Sequence, residues 1–344
     1  MTPERQKVGI SKRFKDDIRG QLVVAGIKLA APAITMSAEN IVRHIPTEYE
    51  EGFDERIEEM TAKGKRFLLV PNHQSLADTV TYFNAADRIR KTANFPGYFL
   101  IYTKTLATGD KGADQKGLQD VFASELPKHE ITRVFLARDS DRERFHTKAN
   151  LKEVYGEIKS HLKEGLGGII HAEGNLNASR PKGVTEPPTR SGLDGLTTIF
   201  RSESDRLSIE RNGMQRFERN ALRSIIDIAD GLGIEMAVVP VAVSRTYNIH
   251  DPSTGGVTRS ALRVGLGLSD TGLASVFILN PMDVDEGELG EIRKRHKRMT
   301  PQDWDDFNTV IARRIAGRLP EKMRGIYGQL EQITPPASEP VRAA

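Results

Sequence analysis

Short apolar runs alternate with longer amphipathic stretches from residue 67 onward, and this alternation constrains the fold more than any other feature of the sequence. Runs of this length are typical of buried strands, and the stretches between them are long enough for helices. The predicted strands are Phe67–Val70, Tyr98–Tyr102, Val134–Ala137, Gly168–Ala172, Ala237–Val243, Leu262–Leu268 and Val276–Leu279. The predicted helices between them are 75–91, 113–127, 143–164 and 214–231. The pattern predicts an α/β fold with a mixed central sheet flanked by helices.

Residues on both sides of this region are predicted to be helical. Apolar residues at spacings of three and four predict a helix near the amino terminus, with one face formed by Phe14, Ile18, Leu22, Ala25 and Leu29. The charged segment Glu50–Arg66 predicts another helix, and Pro320 interrupts the helix predicted over 301–331. The predicted organisation is a helical N-terminal element (1–60), a central domain (61–285), C-terminal helices (286–332) and a flexible tail (333–344).

Composition excludes several classes of protein and site. The chain has no cysteine, which excludes disulfides, thiolate metal sites and a cysteine nucleophile, and is typical of a reducing compartment. The net charge of +3 is too small to predict nucleic-acid binding. No stretch approaches the ~20 consecutive apolar residues that a membrane-spanning helix needs, since Lys28 and Pro32 interrupt Leu22–Met36. We therefore expect a cytoplasmic protein without a spanning helix.

The first predicted strand is followed by a histidine and an aspartate. In open α/β sheets, sites form where strands end, so His73 is expected at the strand end and Asp78 in the first turn of the next helix. A carboxylate on one imidazole nitrogen leaves the other free to act as a general base on a substrate hydroxyl. The same segment also fits a structural role, in which Ser75 and Asp78 cap the helix and His73 is a hydrogen-bonded neighbour.

Polar residues that suit an anionic ligand follow three other predicted strands. Lys104 and Arg138 follow the second and third strands, and an arginine matches the oxygens of a phosphate. After the fourth strand, Glu173 can orient a nearby donor, Gly174 allows a ligand to approach the backbone, and Arg180 offers a second phosphate contact. Ion pairs of Arg138 with neighbouring aspartates, and a tight turn with a surface arginine at Arg180, are the alternatives.

In this order, the segments resemble the glycerolipid acyltransferase superfamily, which transfers a fatty acyl group from a thioester to a glycerol phosphate hydroxyl. Asn72-His73-Gln74-Ser75-Leu76-Ala77-Asp78 resembles its His-x4-Asp block, and Val134–Arg138 its second block. Glu173-Gly174 resembles its Pro-Glu-Gly block, and Val239-Pro240-Val241 its apolar fourth block. The resemblance covers about residues 65–245.

Further residues match or depart from the pattern of the family, and together they are similar to one branch of it. Lys104 is similar to a lysine that the family often carries between its first two blocks. Ala172 stands where the family usually has proline, and Leu176 where it has arginine, with Arg180-Pro181 further along. A glycine-containing turn ending in Arg-Pro and a helical N-terminal element are similar to the soluble glycerol-3-phosphate acyltransferases that use acyl carrier protein.

The resemblance implies a role for each of these residues. His73, oriented by Asp78, would be the general base, with Asn72, Ser75, Glu173 and Gly174 supporting the site. The phosphate of glycerol 3-phosphate or lysophosphatidate would be held by Arg138, Arg180 and Lys104. The acyl chain of the acyl carrier protein or coenzyme A thioester would lie along Val239, Pro240 and Val241. The resemblance implies no metal, no bound cofactor and no nucleic acid.

Two other functions fit parts of the sequence. Ser75 beside His73 and Asp78 would suit a serine hydrolase or thioesterase, although no Gly-x-Ser-x-Gly elbow surrounds it. The basic run Arg293–Arg298 would suit a peripheral lipid-binding protein on an anionic membrane surface, such as the inner face of the membrane. The neighbouring glutamates favour a solvated helix face for that run instead.

Overall fold

The computed structural model describes residues 45–73, 78–106, 126–139, 148–173, 213–214, 217–251, 256–257 and 274–327. Several predicted elements lie outside these residues. They are the helix near the amino terminus, most of the helix at 113–127, the strand Leu262–Leu268 and the tail at 333–344.

Eight strands form one mixed sheet at the centre of the described structure. Two further short strands pair only with each other. In chain order the strands are β1 (Thr47–Tyr49), β2 (Arg66–Pro71), β3 (Tyr98–Leu106), β4 (Ile131–Asp139), β5 (Gly167–Ile169), β6 (Met236–Ser244), β7 (His250–Asp251), β8 (Gly256–Val257), β9 (Ser275–Ile278) and β10 (Met282–Asp283). The separate antiparallel pair is β7 with β8. The α/β class and the mixed sheet expected from the sequence are confirmed.

The strand order in the sheet is β1-β9-β6-β2-β5-β3-β4. In addition, β10 pairs antiparallel with residues near the start of β6. The five strands from β6 to β4 run parallel to one another. β9 runs antiparallel to β6, and β1 runs parallel to β9. The carboxyl ends of β6, β2 and β5 therefore lie side by side at one edge of the sheet.

Seven α-helices are described: α1 (Phe53–Ala62), α2 (Asp78–Thr81), α3 (Phe83–Ala93), α4 (Lys148–Lys163), α5 (Arg219–Asp230), α6 (Gly287–Lys294) and α7 (Pro301–Arg318). The helix predicted over 75–91 is two helices separated at Tyr82. The helix predicted over 301–331 ends at Arg318, because Pro320 cannot continue it, and only 3-10 turns follow among the described residues. None of these helices combines the length and the apolarity needed to cross a bilayer.

Both faces of the sheet are covered by apolar packing. Leu69 and Val239 belong to the core on the side of α1 and α3, whereas Leu68 and Val238 belong to the core on the side of α4 to α7. Successive residues of a strand point to opposite faces, so a strand buried on both faces is apolar throughout. This packing explains why β2 and β6 appear in the sequence as continuous apolar runs. It also holds their carboxyl ends, where the polar residues begin, in a rigid frame.

Candidate functional site

The site lies at the sheet edge where β2, β5 and β6 end. His73 follows β2 by two residues, Thr246 follows β6 by two, and Glu173 follows β5 by four. Because β2 is hydrogen-bonded to both β5 and β6, the loops after these three strands meet in space. This is the position at which open α/β sheets form their ligand sites.

His73 and Asp78 are in direct contact. Nδ1 of His73 lies 3.0 Å from Oδ2 of Asp78, the first residue of α2. The Asp78 side chain is fully buried, whereas 17% of the His73 side chain is exposed. The carboxylate therefore occupies Nδ1 and leaves Nε2 as the ring nitrogen that a substrate can use. The contact is the one expected from the placement of His73 after a strand and Asp78 in the first turn of a helix.

Asp78 has a second partner that the sequence analysis did not identify. Thr246 Oγ1 donates a hydrogen bond to Oδ1 of Asp78, and both side chains are fully buried. Thr81 Oγ1 donates to the Asp78 backbone oxygen at 2.7 Å. The carboxylate thus contacts His73 through one oxygen and the end of β6 through the other.

Glu173 holds the backbone of His73. Its Oε1 atom accepts a hydrogen bond from the His73 backbone N–H at 3.0 Å, and only 2% of Glu173 is exposed. The glutamate thereby joins the loop after β5 to the end of β2. The sequence analysis expected Glu173 to orient a donor near the site, and in the structure that donor is the peptide N–H of His73.

Asn72 joins the ends of β2 and β6. Its Nδ2 donates to the Val243 backbone oxygen at 2.9 Å, and its Oδ1 accepts from the Val243 N–H at 2.6 Å. The side chain is fully buried, so both bonds are shielded from water. The residue before His73 is therefore fixed relative to the end of β6, the strand that precedes Thr246.

His171 packs against His73 and was not assigned a role from the sequence. The two ring centroids are 4.2 Å apart, and Nε2 of His171 lies 3.1 Å from the hydroxyl of the buried Tyr82. Burial lowers the pKa of His171 well below its usual range, and positive charge on His73 lowers it further. A neutral imidazole therefore lies beside the ring of His73.

His73, Asp78 and His171 could also be considered as metal ligands. One ligand atom from each lies within 4.8 Å of the others, and this is the one such group among the residues that the structure describes. However, both carboxylate oxygens of Asp78 already have side-chain partners, His73 at Oδ2 and Thr246 at Oδ1. The side-chain partners present fit a hydrogen-bonded network, and we assign no metal to it.

The two cations expected after β3 and β4 lie within these strands. The sequence analysis placed Lys104 and Arg138 beyond the strand ends, but β3 extends to Leu106 and β4 to Asp139. In the register of the two parallel strands, Lys104 pairs with Ala137 and Thr105 with Arg138. Both residues are thus near the carboxyl ends of neighbouring strands, at the sheet edge that carries His73.

Three other expected site residues, Ser75, Gly174 and Arg180, lie outside the described residues. Val239, Pro240 and Val241 lie in the middle of β6, opposite Leu69–Pro71 of β2, and are buried. Val239 and Val241 belong to the core on the side of α1 and α3, and their contact with an acyl chain stays a prediction.

Acidic side chains pair with half of the basic run Arg293–Arg298. Arg293 donates to Asp230 at 2.7 Å, Arg295 donates to Asp306, and His296 Nδ1 lies 2.9 Å from Asp303. These pairs reduce the positive field of the run and favour a solvated surface over a membrane-binding patch. The expected helix face is wrong for most of the run, because α6 ends at Lys294.

Comparison with known proteins assigns no family to the chain, since no protein-family model matches it and no curated protein is a significant match. A functional interpretation therefore depends on the residues of the site and on the order of the sequence blocks that carry them.

Proposed function

We propose that this protein is an O-acyltransferase of the glycerolipid acyltransferase type, with the corresponding glycerol-3-phosphate acyltransferase-like fold. It transfers a fatty acyl group from an acyl thioester to the hydroxyl of glycerol 3-phosphate or of a lysophospholipid, in phospholipid biosynthesis. The observation that carries the proposal is the contact between His73 Nδ1 and Asp78 Oδ2, which leaves Nε2 on a partly exposed ring. The order of the four sequence blocks supports it.

In this function His73 is the general base. Its Nε2 takes the proton of the acceptor hydroxyl as the hydroxyl oxygen bonds to the thioester carbonyl carbon. Asp78 stabilises the imidazolium that forms. The tetrahedral intermediate then collapses, the carbon–sulfur bond breaks, and the proton on Nε2 passes to the departing thiolate. The acyl group moves directly to the acceptor, without an acyl-enzyme.

Three cationic residues hold the acceptor in this function. Arg138, Arg180 and Lys104 bind the acceptor phosphate, so that the hydroxyl is presented to His73. Val239, Pro240 and Val241 belong to the wall of the acyl chain's path. The donor is acyl carrier protein or a coenzyme A thioester, and the reaction needs no further cofactor. The enzyme works in the cytoplasm, with peripheral contact to the membrane that receives its product.

A thioester-release assay tests this function. Purified protein receives acyl carrier protein or coenzyme A thioesters together with glycerol 3-phosphate or its 1-acyl form. We expect thiol release that depends on one of the acceptors and disappears in His73→Ala. Because the His73 side chain is partly exposed, we expect this variant to fold, which a thermal unfolding curve verifies.

Other outcomes of the assay identify the competing functions. Thiol release without any acceptor would indicate a hydrolase or thioesterase, and a fluorophosphonate adduct on Ser75 would identify its nucleophile. A folded protein that releases no thiol from any combination, but binds vesicles of anionic lipid, would be a lipid-binding protein. Full transfer activity in folded His73→Ala would contradict the assignment of the base.

A further inference from the structure

We infer that Thr246 is a positioning residue for the Asp78 carboxylate and, through it, for the ring of His73. This inference rests on the proposed function. The Thr246 hydroxyl donates to Oδ1 of Asp78, while the other oxygen of the same carboxylate contacts His73. Thr246 and Asp78 are both fully buried, so the hydrogen bond does not compete with bulk water.

A second hydrogen bond matters because the carboxylate torsion of aspartate is broad. Rotation about this torsion moves Oδ2, the acceptor, away from the imidazole. A donor on Oδ1 restricts that rotation. Threonine suits this task because its branched side chain has few rotamers, so the hydroxyl itself is held in place.

The backbone positions Thr246 by two features that do not involve the catalytic histidine. Arg245 adopts a left-handed conformation with φ of 63°, which turns the chain directly after β6 and begins the 3-10 turn Thr246–Asn248. The two hydrogen bonds of Asn72 to Val243 fix this end of β6 against the end of β2. The distance between Thr246, two residues after β6, and His73, two residues after β2, is therefore set by the sheet.

The donor also offsets part of the cost of burying the Asp78 carboxylate. A carboxylate removed from water is unfavourable unless hydrogen bonds replace its hydration, and hydrogen bonds to charged groups are the stronger ones. The Thr246 hydroxyl supplies such a bond to the oxygen that His73 does not contact. The inference is therefore that Thr246, Asp78 and His73 act as one hydrogen-bonded series in which only His73 touches substrate.

Thr246→Val and Thr246→Ser separate the hydroxyl from the shape of the side chain. Valine has nearly the same shape as threonine but no O–H, and serine retains the O–H. We expect Thr246→Val to lower kcat about ten- to hundredfold with little change in either KM, and Thr246→Ser to stay within about threefold of the wild type. Should the valine variant fail to fold, Thr246→Ala also lacks the hydroxyl and replaces it.

Thr81→Val is the matched control. Thr81 is equally buried and also donates to Asp78, but to the backbone oxygen rather than to the carboxylate. If only the number of hydrogen bonds around Asp78 matters, Thr81→Val lowers kcat as much as Thr246→Val does, which would overturn the inference. We expect it to lower the unfolding temperature and leave kcat within about threefold.

Ring-nitrogen NMR of His73 gives a readout that does not depend on transfer activity. In the wild type we expect the proton on Nδ1, and in Thr246→Val a mixture of tautomers. An unchanged tautomer together with an unchanged kcat would overturn the inference, as would a higher KM at constant kcat. If the wild type transfers no acyl group, the proposed function fails, and the NMR comparison still decides whether Thr246 orders the pair.

Discussion

Nδ1 of His73, two residues after β2, lies 3.0 Å from Oδ2 of Asp78 at the start of α2. The contact joins a fully buried carboxylate to a ring that is partly open to solvent. A general base needs this asymmetry, because one nitrogen must be held by the protein while the other remains accessible to a substrate.

Asp78→Asn tests the charge of this contact at constant size. The amide oxygen still accepts a hydrogen bond, but it stabilises the imidazolium poorly and its NH₂ group favours the wrong tautomer of His73. We expect kcat to fall about 10²- to 10⁴-fold, with both KM values nearly unchanged. Steady-state kinetics with each substrate varied in turn measures this. A folded Asp78→Asn protein within threefold of the wild-type kcat would show that the carboxylate is structural.

His171 gives the protein a specific dependence of stability on pH. Burial lowers the pKa of its imidazole well below the usual range, so the folded state binds a proton only at lower pH than the unfolded chain does. Stability contributed by the neutral ring is present above the unfolded value of about 6.5 and is lost as the pH falls below it, by up to about 1.4 kcal/mol per pH unit.

His171→Phe should remove the contribution of His171 to the pH dependence of stability and leave the contributions of other groups unchanged. Phenylalanine keeps an aromatic ring beside His73, and the loss of the partner of Tyr82 affects stability by the same amount at each pH. Urea unfolding at several pH values from 7 downward measures the slope. We expect a smaller decrease for His171→Phe than for the wild type, and equal slopes would mean that His171 protonates normally in the folded protein.

The sequence predicted those parts of the fold and site that follow from local pattern. β2 and β6 were predicted because strands buried on both faces are continuous apolar runs. β1 and β10 were missed because runs of three and two residues carry no periodicity, and their pairing with β9 and β6 is a long-range contact.

At the site too, local contacts were predicted from the sequence and long-range contacts were not. His73 and Asp78 were found because they are five residues apart and flank a predicted strand end and helix start. Tyr82 and His171 are 89 residues apart, and their contact depends on the break between α2 and α3, which periodicity did not indicate. Thr246 could have been found, since it follows β6 as His73 follows β2, and a hydroxyl after a predicted strand is the available signal.

Lys65 stabilises the opposite end of β2, away from the site. Its ammonium donates to Asp283 at 2.8 Å. Only 4% of the Lys65 side chain and 1% of the Asp283 side chain are exposed. Burial alone lowers the pKa of a lysine, but hydrogen bonds to Asp283 and Glu235 raise that of Lys65 well above its ordinary value. We expect Lys65→Met to destabilise the fold by about 3 kcal/mol, because Asp283 keeps a buried charge without its nearest cation.

The loss of stability in Lys65→Met should not be accompanied by a loss of catalysis. Urea unfolding of Lys65→Met, compared with Lys65→Met/Asp283→Asn, measures the cost of the unpaired carboxylate, and we expect the double variant to recover part of the stability. At a temperature where both remain folded, kcat should equal that of the wild type. A matching loss of kcat would indicate that the amino end of β2 is coupled to His73.

Removal of divalent metal ions should leave transfer unchanged. The side-chain contacts of His73, Asp78 and His171 are hydrogen bonds within the protein, and direct acyl transfer to a hydroxyl needs no Lewis acid. Dialysis against EDTA followed by the thioester-release assay measures this. Activity that is lost on dialysis and restored by one equivalent of a divalent ion would make the three residues a metal site instead.

Arg138 provides the last test, because its proposed role concerns the acceptor and not the donor. A charge-assisted hydrogen bond to phosphate is lost in Arg138→Ala, so we expect the KM for glycerol 3-phosphate to rise about ten- to hundredfold and the KM for the thioester to change little. Arg133→Ala is the matched control, since Arg133 lies on the same strand, pairs in register with Leu100, and is exposed. Glycerol without a phosphate should be used equally poorly by wild type and Arg138→Ala. Equal changes in both KM values would show that Arg138 supports the strand rather than the phosphate.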